Sequence, residues 1–420
     1  MKIQRKIDFR KVFAIGMLVF IGIMIVASYI SRGTYLTNML FLNQGDYFMD
    51  FFNSIQWGLS PYKNNVIYPP LMNVIYAFWG HFISRELRTA GNVAMRDSNI
   101  GLMVFLIYNL IQIYFFSYLM KSILKLSNRE KFIYTAVILG AQPMLFCLQR
   151  GNSVLLSVIG LLFFTYFYKS DNKLYSNLAY VMLGITAGIK IYPAIYGLLY
   201  LRDRKWKETF KCIICGMLLF FVPFLAFPGG LINVKVMIEN IINCSNDFGT
   251  YRYGWKHNFN NFYNILNFIT DVDFKKIYIV MCIFIVLIAI IIVMTCRKID
   301  QWKIYALLSA LIILIPSFSY SYNLTFMIVP LTFFLSKDNK SNTKLNYIYS
   351  LLFVLMFAPI VQSTNDIANN SLSSDCYPLT LGTLIQNIVL LLMVILICVE
   401  GSIELCKLFR NKGKKCEKKK

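Results

Sequence analysis

The sequence predicts an all-α, polytopic membrane protein, and three observations carry that prediction. Hydrophobic residues make up 57% of the 420-residue chain and charged residues only 15%, whereas soluble globular chains are about one-quarter charged. The mean hydropathy is +0.57. The apolar residues also fall in long continuous runs, unlike the short alternating strands of a membrane barrel. The same composition excludes a disordered chain and a nucleic-acid binder, despite a net charge of +22.

A helix needs roughly 20 apolar residues to cross the hydrocarbon core. Candidate stretches are 12–30, 101–120, 133–148, 154–168, 179–201, 213–227, 277–295, 304–316, 324–335, 347–361 and 380–399. Several are short for a full span. The stretch 179–201 is interrupted by Lys190 and Pro193, which predicts two half-helices meeting at a turn that lines a cavity. The expected count is 10 to 12 spans. The start has a basic segment before an apolar run, like a signal peptide. No small-residue cleavage site follows, and the run is long enough to span, so it is read as the first span.

Lysine and arginine in the short connections set the orientation. Lys2, Arg5, Lys6, Arg10 and Lys11 precede the first span, and a basic tail over 405–420 follows the last. The connections 121–131, 202–211, 297–303 and 337–344 are basic too. Both termini are therefore expected in the cytoplasm, and residues 1–404 form one membrane domain. Two long connections, 31–100 and 228–276, then face outward. The first holds a shorter apolar stretch, 71–83, read as an interfacial or re-entrant helix, with a second interfacial helix expected around Tyr47–Trp57. The Tyr-, Asn- and Lys-rich composition points to an AT-rich bacterial genome. Cys212 and Cys215 form a lone C-x-x-C, which without a second pair argues against a metal site. Cys244 and Cys376 are the cysteines of the outer segments, so a disulfide between them is one option.

Chemistry in such a protein is sought among the polar residues beside its spans. Only 20 residues are Asp or Glu. Asp46 and Asp50 follow the first span four residues apart, which puts both on one face of a helix. Such a pair suits proton abstraction from a hydroxyl. The structural alternative is a helix cap at Asp46 with Asp50 in solvent. Gly58-Leu59-Ser60-Pro61 and Tyr68-Pro69-Pro70 are turn chemistry. Arg150, followed by Gly151 and Asn152, sits between two spans, where it either meets a substrate phosphate or snorkels to lipid. Lys190, in Gly188-Ile189-Lys190-Ile191-Tyr192-Pro193, is costly against hydrocarbon and must face a cavity or an anion. Arg252, Lys256 and His257 lie among aromatic residues of the second outer connection, a mixture suited to a sugar phosphate or to an interfacial belt. Pro316–Asn323, including Tyr322, interrupts apolar sequence with groups that need polar partners.

In this order, these pieces resemble glycosyltransferase family 87. They are an Asp in the first outer connection (Asp46), Gly58-x-x-Pro61-Tyr62, Tyr68-Pro69-Pro70, Gly151-Asn152, Gly188-Ile189-Lys190-x-Tyr192-Pro193 and Pro316-Ser317. The family belongs to the membrane-embedded C superfamily of glycosyltransferases and includes polyprenyl-phosphate-mannose-dependent mannosyltransferases. The resemblance implies Asp46 as the base on the acceptor hydroxyl, with Asp50 as its competitor. It implies a polyprenyl-phosphate sugar donor, a glycan or glycolipid acceptor, inversion, no metal and no other cofactor. Members often carry His where this chain has Tyr322, so Tyr322, Lys256 or His257 would take over contact with the donor phosphate. The competing classes are a lipid-linked sugar flippase or other transporter and a polysaccharide polymerase. No internal repeat of the kind many transporters show is visible.

Overall fold

The computed structural model describes residues 8–40, 47–58, 60–249, 256–270, 274–317, 319–337, 343–361 and 380–417. Among these the protein is helical throughout, with no strand beyond a single antiparallel bridge between Lys256 and Tyr320. The helices are α1 (Phe9–Ile30), α2 (Thr34–Leu40), α3 (Met49–Trp57), α4 (Pro70–Gly80), α5 (Arg85–Ala90), α6 (Asn92–Asp97) and α7 (Asn99–Ile123). There follow α8 (Asn128–Leu139), α9 (Gln142–Arg150), α10 (Val154–Phe167), α11 (Lys173–Ile189), α12 (Leu198–Arg202), α13 (Trp206–Phe221) and α14 (Asn233–Gly249). The rest are α15 (Phe259–Thr270), α16 (Lys275–Thr295), α17 (Gln301–Leu314), α18 (Ile328–Leu335), α19 (Lys344–Phe357) and α20 (Leu381–Glu417).

Among the described residues, five helical segments are long and apolar enough to cross a membrane: Phe9–Ile30, Asn99–Ile123, Trp206–Ala226, Lys275–Thr295 and Leu381–Leu408. The other apolar runs form shorter helices, and several are interrupted. The stretch expected over 133–148 is broken into α8 and α9, which bend by 64°. The break coincides with Pro143 in the first turn of α9, where a missing N–H is tolerated at a helix start but not in a helix interior. At the predicted interruption, α11 stops at Ile189 and Lys190 adopts an extended backbone. A 3-10 turn over Tyr192–Gly197 then leads into α12. Helix α20 continues into the basic tail as far as Glu417.

The central helices are the most enclosed. Every residue of α17 from Trp302 to Leu314 is buried, as are ten of the fourteen residues of α10 and seven of the eight of α18. In contrast, α1, α13 and α16 show broad apolar faces, with Ile25, Phe210 and Val280 each at least 60% exposed. In water such surface would be unstable; in a bilayer it meets lipid. The two helices expected in the first long connection form as α3 and α4. They pack with α6, α7 and α11 around Phe51, Phe52, Tyr76, Phe105 and Tyr108.

Polar interactions gather at two ends of this bundle. One end joins the 50–68 region to residues 150–152, 190, 240 and 320–323. The other joins residues 168–169, 202–205 and 296–303 to 337 and 400.

Candidate active site

The site is built around Asp50. Phe48 takes a left-handed backbone (φ 64°) immediately before α3, a conformation that costs of order 1–3 kcal/mol in a non-glycine residue. It turns the chain into the helix and sets Asp50 in the first turn, where a carboxylate favours the helix dipole. Arg150 Nη2 donates to Asp50 Oδ1 at 2.7 Å, and Asn152 Nδ2 donates to Oδ2 at 2.6 Å. Both carboxylate oxygens are thus held by residues a hundred positions away.

The local sequence explains how Arg150 and Asn152 reach one carboxylate. Gly151 ends α9 at φ 64°. A Cβ there would lie 2.8 Å from both Phe51 Cβ and Phe105 Cε2, so glycine satisfies both the turn and the close packing. Asn152 Oδ1 accepts from the Val154 N–H at 3.0 Å, which fixes the amide orientation and aims Nδ2 at Asp50 and at Tyr68 Oη (3.4 Å). Tyr76 Oη donates to the Gly151 carbonyl at 3.1 Å and ties the turn to α4.

Asp50 opens on a cavity of about 790 Å³, within the size range of ligand pockets. Its walls come from α3, the 64–69 segment, the Lys190–Tyr192 break, α14 and the Tyr320–Tyr322 segment. Lys190 Nζ donates to Asn323 Oδ1 at 3.1 Å and lies 5.3 Å from the centre of the Tyr322 ring. Among the described residues Lys190 forms no ion pair, in contrast to Arg150. Asp50 and Lys190 are the charged groups of the lining, which holds no cluster of residues suited to a metal; none is found elsewhere among the described residues either.

The expected site residues divide into four groups. Asp50, Lys190, Tyr192 and Tyr322 line the cavity. Arg150 and Asn152 are buried and hold Asp50, an arrangement different from the phosphate contact expected of Arg150. Lys256 and His257 are enclosed beside the Tyr320 segment. The His257 N–H donates to the Ser319 carbonyl at 2.7 Å, and its Nε2 is 3.0 Å from Ser321 Oγ. Burial pushes the His257 imidazole down to about 3, against a hydrogen bond with Asn387, and pushes the Lys256 ammonium down to about 8. His257 is therefore neutral at physiological pH and has no exposed surface. The geometry makes it a strut under the Ser319–Tyr322 segment, where a substrate contact was expected. Asp46 and Arg252 lie outside the described residues, as does Cys376.

Sequence reasoning did not find Asn53, Trp57, Asn65, Asn240 or Asn243 as site residues. Asn240 Nδ2 bonds the carbonyls of Tyr62 (3.5 Å) and Val66 (3.2 Å), fastening α14 to the cavity rim. The signal was the density of asparagine in the two long connections, which composition alone made unremarkable. The i, i+3, i+4, i+7 spacing of Asp50, Asn53, Ser54 and Trp57 was readable as one helix face.

The described residues form an all-α membrane bundle with a carboxylate and a lysine at one cavity. Residues 67–319, well over half of the chain, match the model of glycosyltransferase family 87. The chain belongs to that family and is a membrane glycosyltransferase. Searches of curated proteins and of solved structures find no match.

Proposed function

We propose that the protein transfers a sugar from a polyprenyl-phosphate donor to a hydroxyl of a glycan or glycolipid, with inversion and without a metal, on the outer side of a bacterial cell membrane. The observation that carries this reading is the shared cavity of Asp50 and Lys190. A carboxylate and an ammonium that forms no ion pair among the described residues face the same space, as a reaction requires that takes a proton from one partner and leaves a phosphate on the other. The acceptor oxygen attacks the anomeric carbon from the face opposite the phosphate. The C–O bond to phosphate breaks, and its electron pair stays on the phosphate oxygen. The acceptor proton passes to Asp50. Lys190 neutralises the departing lipid phosphate. Arg150 and Asn152 act through Asp50, fixing its direction. Tyr192 and Tyr322 flank the phosphate, and the departing group is a phosphate monoester already met by a cation, so the step calls for no metal. The outward orientation follows from the basic connections at the far end of the bundle, which by the charge rule stay in the cytoplasm.

Purified protein in detergent or vesicles, given a panel of polyprenyl-phosphate hexoses with a glycoside acceptor, should release polyprenyl phosphate in step with new glycoside. Movement of the intact lipid-linked sugar across vesicles with no phosphate release would favour a flippase and reject this reading. In intact cells with native cysteines removed, a cysteine at Asn64 should react with an impermeant thiol reagent. Protection of that site would turn the cavity toward the cytoplasm.

A further inference from the structure

The transfer step uses one residue of the α3 face that lines the cavity, yet four residues of α3 line it: Asp50, Asn53, Ser54 and Trp57. Their spacing forms a single stripe on the helix, about 10 Å from end to end at 1.5 Å per residue. The cationic wall of the cavity comes from other elements, at Lys190. Along the stripe, and across from it at Asn65 and Asn243, the lining carries amides and no charge beyond Asp50.

These amides are positioned by structure. Asn65 stands in a left-handed backbone (φ 56°) at the end of the Pro61–Asn64 turn. Asn53 Oδ1 accepts from Asn92 Nδ2, and this leaves its own amide hydrogens for another partner. A side-chain amide both donates and accepts, as each hydroxyl of a sugar does. An indole presents a flat apolar face with a polar edge. A pyranose ring presents the matching surfaces: a face of C–H groups and a rim of hydroxyls.

We infer that this stripe is the acceptor subsite and that it takes a neutral pyranose, with the attacking hydroxyl at Asp50 and the ring or its neighbour toward Trp57. The inference rests on the transferase reading above and adds the class of acceptor. The length of the stripe fits one or two sugar rings. An anionic sugar would bring its charge to a wall that offers no cation.

The test uses a polyprenyl-phosphate hexose that the wild-type protein turns over, with methyl and octyl hexosides and the matching uronic acid glycosides as acceptors. Neutral hexosides should be glycosylated. Trp57→Ala and Asn243→Ala should each raise the acceptor KM about tenfold while the donor KM moves less than twofold, and Trp57→Phe should restore most of the loss. Equal KM for methyl and octyl hexosides identifies the ring itself as the ligand. A lower KM for the octyl form identifies a membrane-held glycolipid, and either result supports the subsite. Transfer confined to uronic acid glycosides, transfer to no neutral hexoside, or an unchanged acceptor KM in both alanine variants would overturn it. A wild-type protein that releases polyprenyl phosphate from no donor removes the transferase reading itself, and this subsite with it.

Discussion

The two polar ends of the bundle hold the same kinds of residue and balance them differently. At the far end Lys303, Lys337, Lys169 and Arg297 have carboxylate partners, while Arg202 and Lys205 donate to the carbonyls of Cys296 and Tyr168. Lys303 Nζ donates to Glu400 Oε2 at 2.6 Å, and Tyr349 hydrogen-bonds the other oxygen. Lys337 pairs with Asp300, and Lys169 and Arg297 share Asp203, each at 2.9 Å. These contacts tie α17 to α19 and α20, and α12 to the α16–α17 connection. At the cavity end Asp50 and Arg150 are paired, but Lys190 has an amide for a partner and a ring for a neighbour. Burying a charge without a counter-ion is costly. Pairing Lys190 or removing it would avoid that cost, as four cations at the other end do by pairing. On the proposed reading, the far-end pairs hold helices together and Lys190 meets the donor phosphate.

Removing Asp50 should produce the largest effect. Asp50→Asn keeps the shape and removes the proton acceptor, so transfer per folded molecule should fall by about 10²–10⁴, measured as new glycoside formed. Donor binding should persist. The variant also leaves Arg150 without its carboxylate, so the folded fraction must be measured alongside. The family resemblance pointed first to Asp46, while the described cavity holds Asp50. A dead Asp46→Asn beside a nearly normal Asp50→Asn would return the base to Asp46 and make Asp50 a clamp for Arg150.

Much of this arrangement was legible before the structure. Long apolar runs with basic connections announce a helical membrane protein, because the bilayer imposes length and the charge rule imposes sign. Lys190 beside Pro193 stood out because a lysine in an apolar stretch needs a reason. What stayed hidden is how the pieces meet. Nothing in the sequence says that Arg150 and Asn152 grip Asp50, since that contact depends on the turn at Gly151 packing against Phe51 and Phe105. Likewise His257 looked chemical because histidine in an aromatic loop often is. Its role as a strut depends on Ser319 and Ser321, more than 60 residues away. Single spans were also harder to read than apolar runs, because the break at Pro143 divides a run that hydropathy alone joins.

The far end supplies the complementary break. Lys303→Met removes a buried ammonium and leaves Glu400 with only Tyr349. Breaking a buried pair costs about 3–5 kcal/mol, and the partial exposure of Glu400 puts the expected loss near the lower figure. Thermal unfolding in detergent should fall clearly, while transfer per folded molecule stays within about twofold of wild type. Lost transfer with unchanged stability would mean that charge at this end serves the reaction, and the contrast between the ends would collapse.

Lys190→Met sharpens the comparison with a smaller effect of the opposite kind. It keeps length and apolar character but deletes one charge-assisted contact, worth roughly 1.5–3 kcal/mol. The donor KM should rise roughly tenfold to a hundredfold, while the unfolding temperature stays level or rises, since an unpaired buried charge has been removed. A donor KM that does not move, with a lower unfolding temperature, would make Lys190 a structural cation held by Asn323 and Tyr322.

The smallest effect belongs to His257, which joins the second long connection to the segment carrying Tyr322. Burial holds its folded-state value down at about 3, against an ordinary value of 6.5. Below pH 6.5 the unfolded chain therefore takes up a proton that the folded protein refuses until about pH 3. The unfolded state binds more protons across that window, so stability rises with pH there and is lost as pH falls. From pH 7 to pH 5.5 the loss from this one group is about 1 kcal/mol. His257→Gln retains a group able to hydrogen-bond Ser321 but does not titrate. Its unfolding temperature should be lower than wild type at pH 7, and the gap should narrow as the pH is taken to 5.5. A gap that stays constant would show that the imidazole titrates alike in the folded and unfolded states. His257 would then be open to solvent or substrate, and its place among the struts would have to be given up in favour of the cavity.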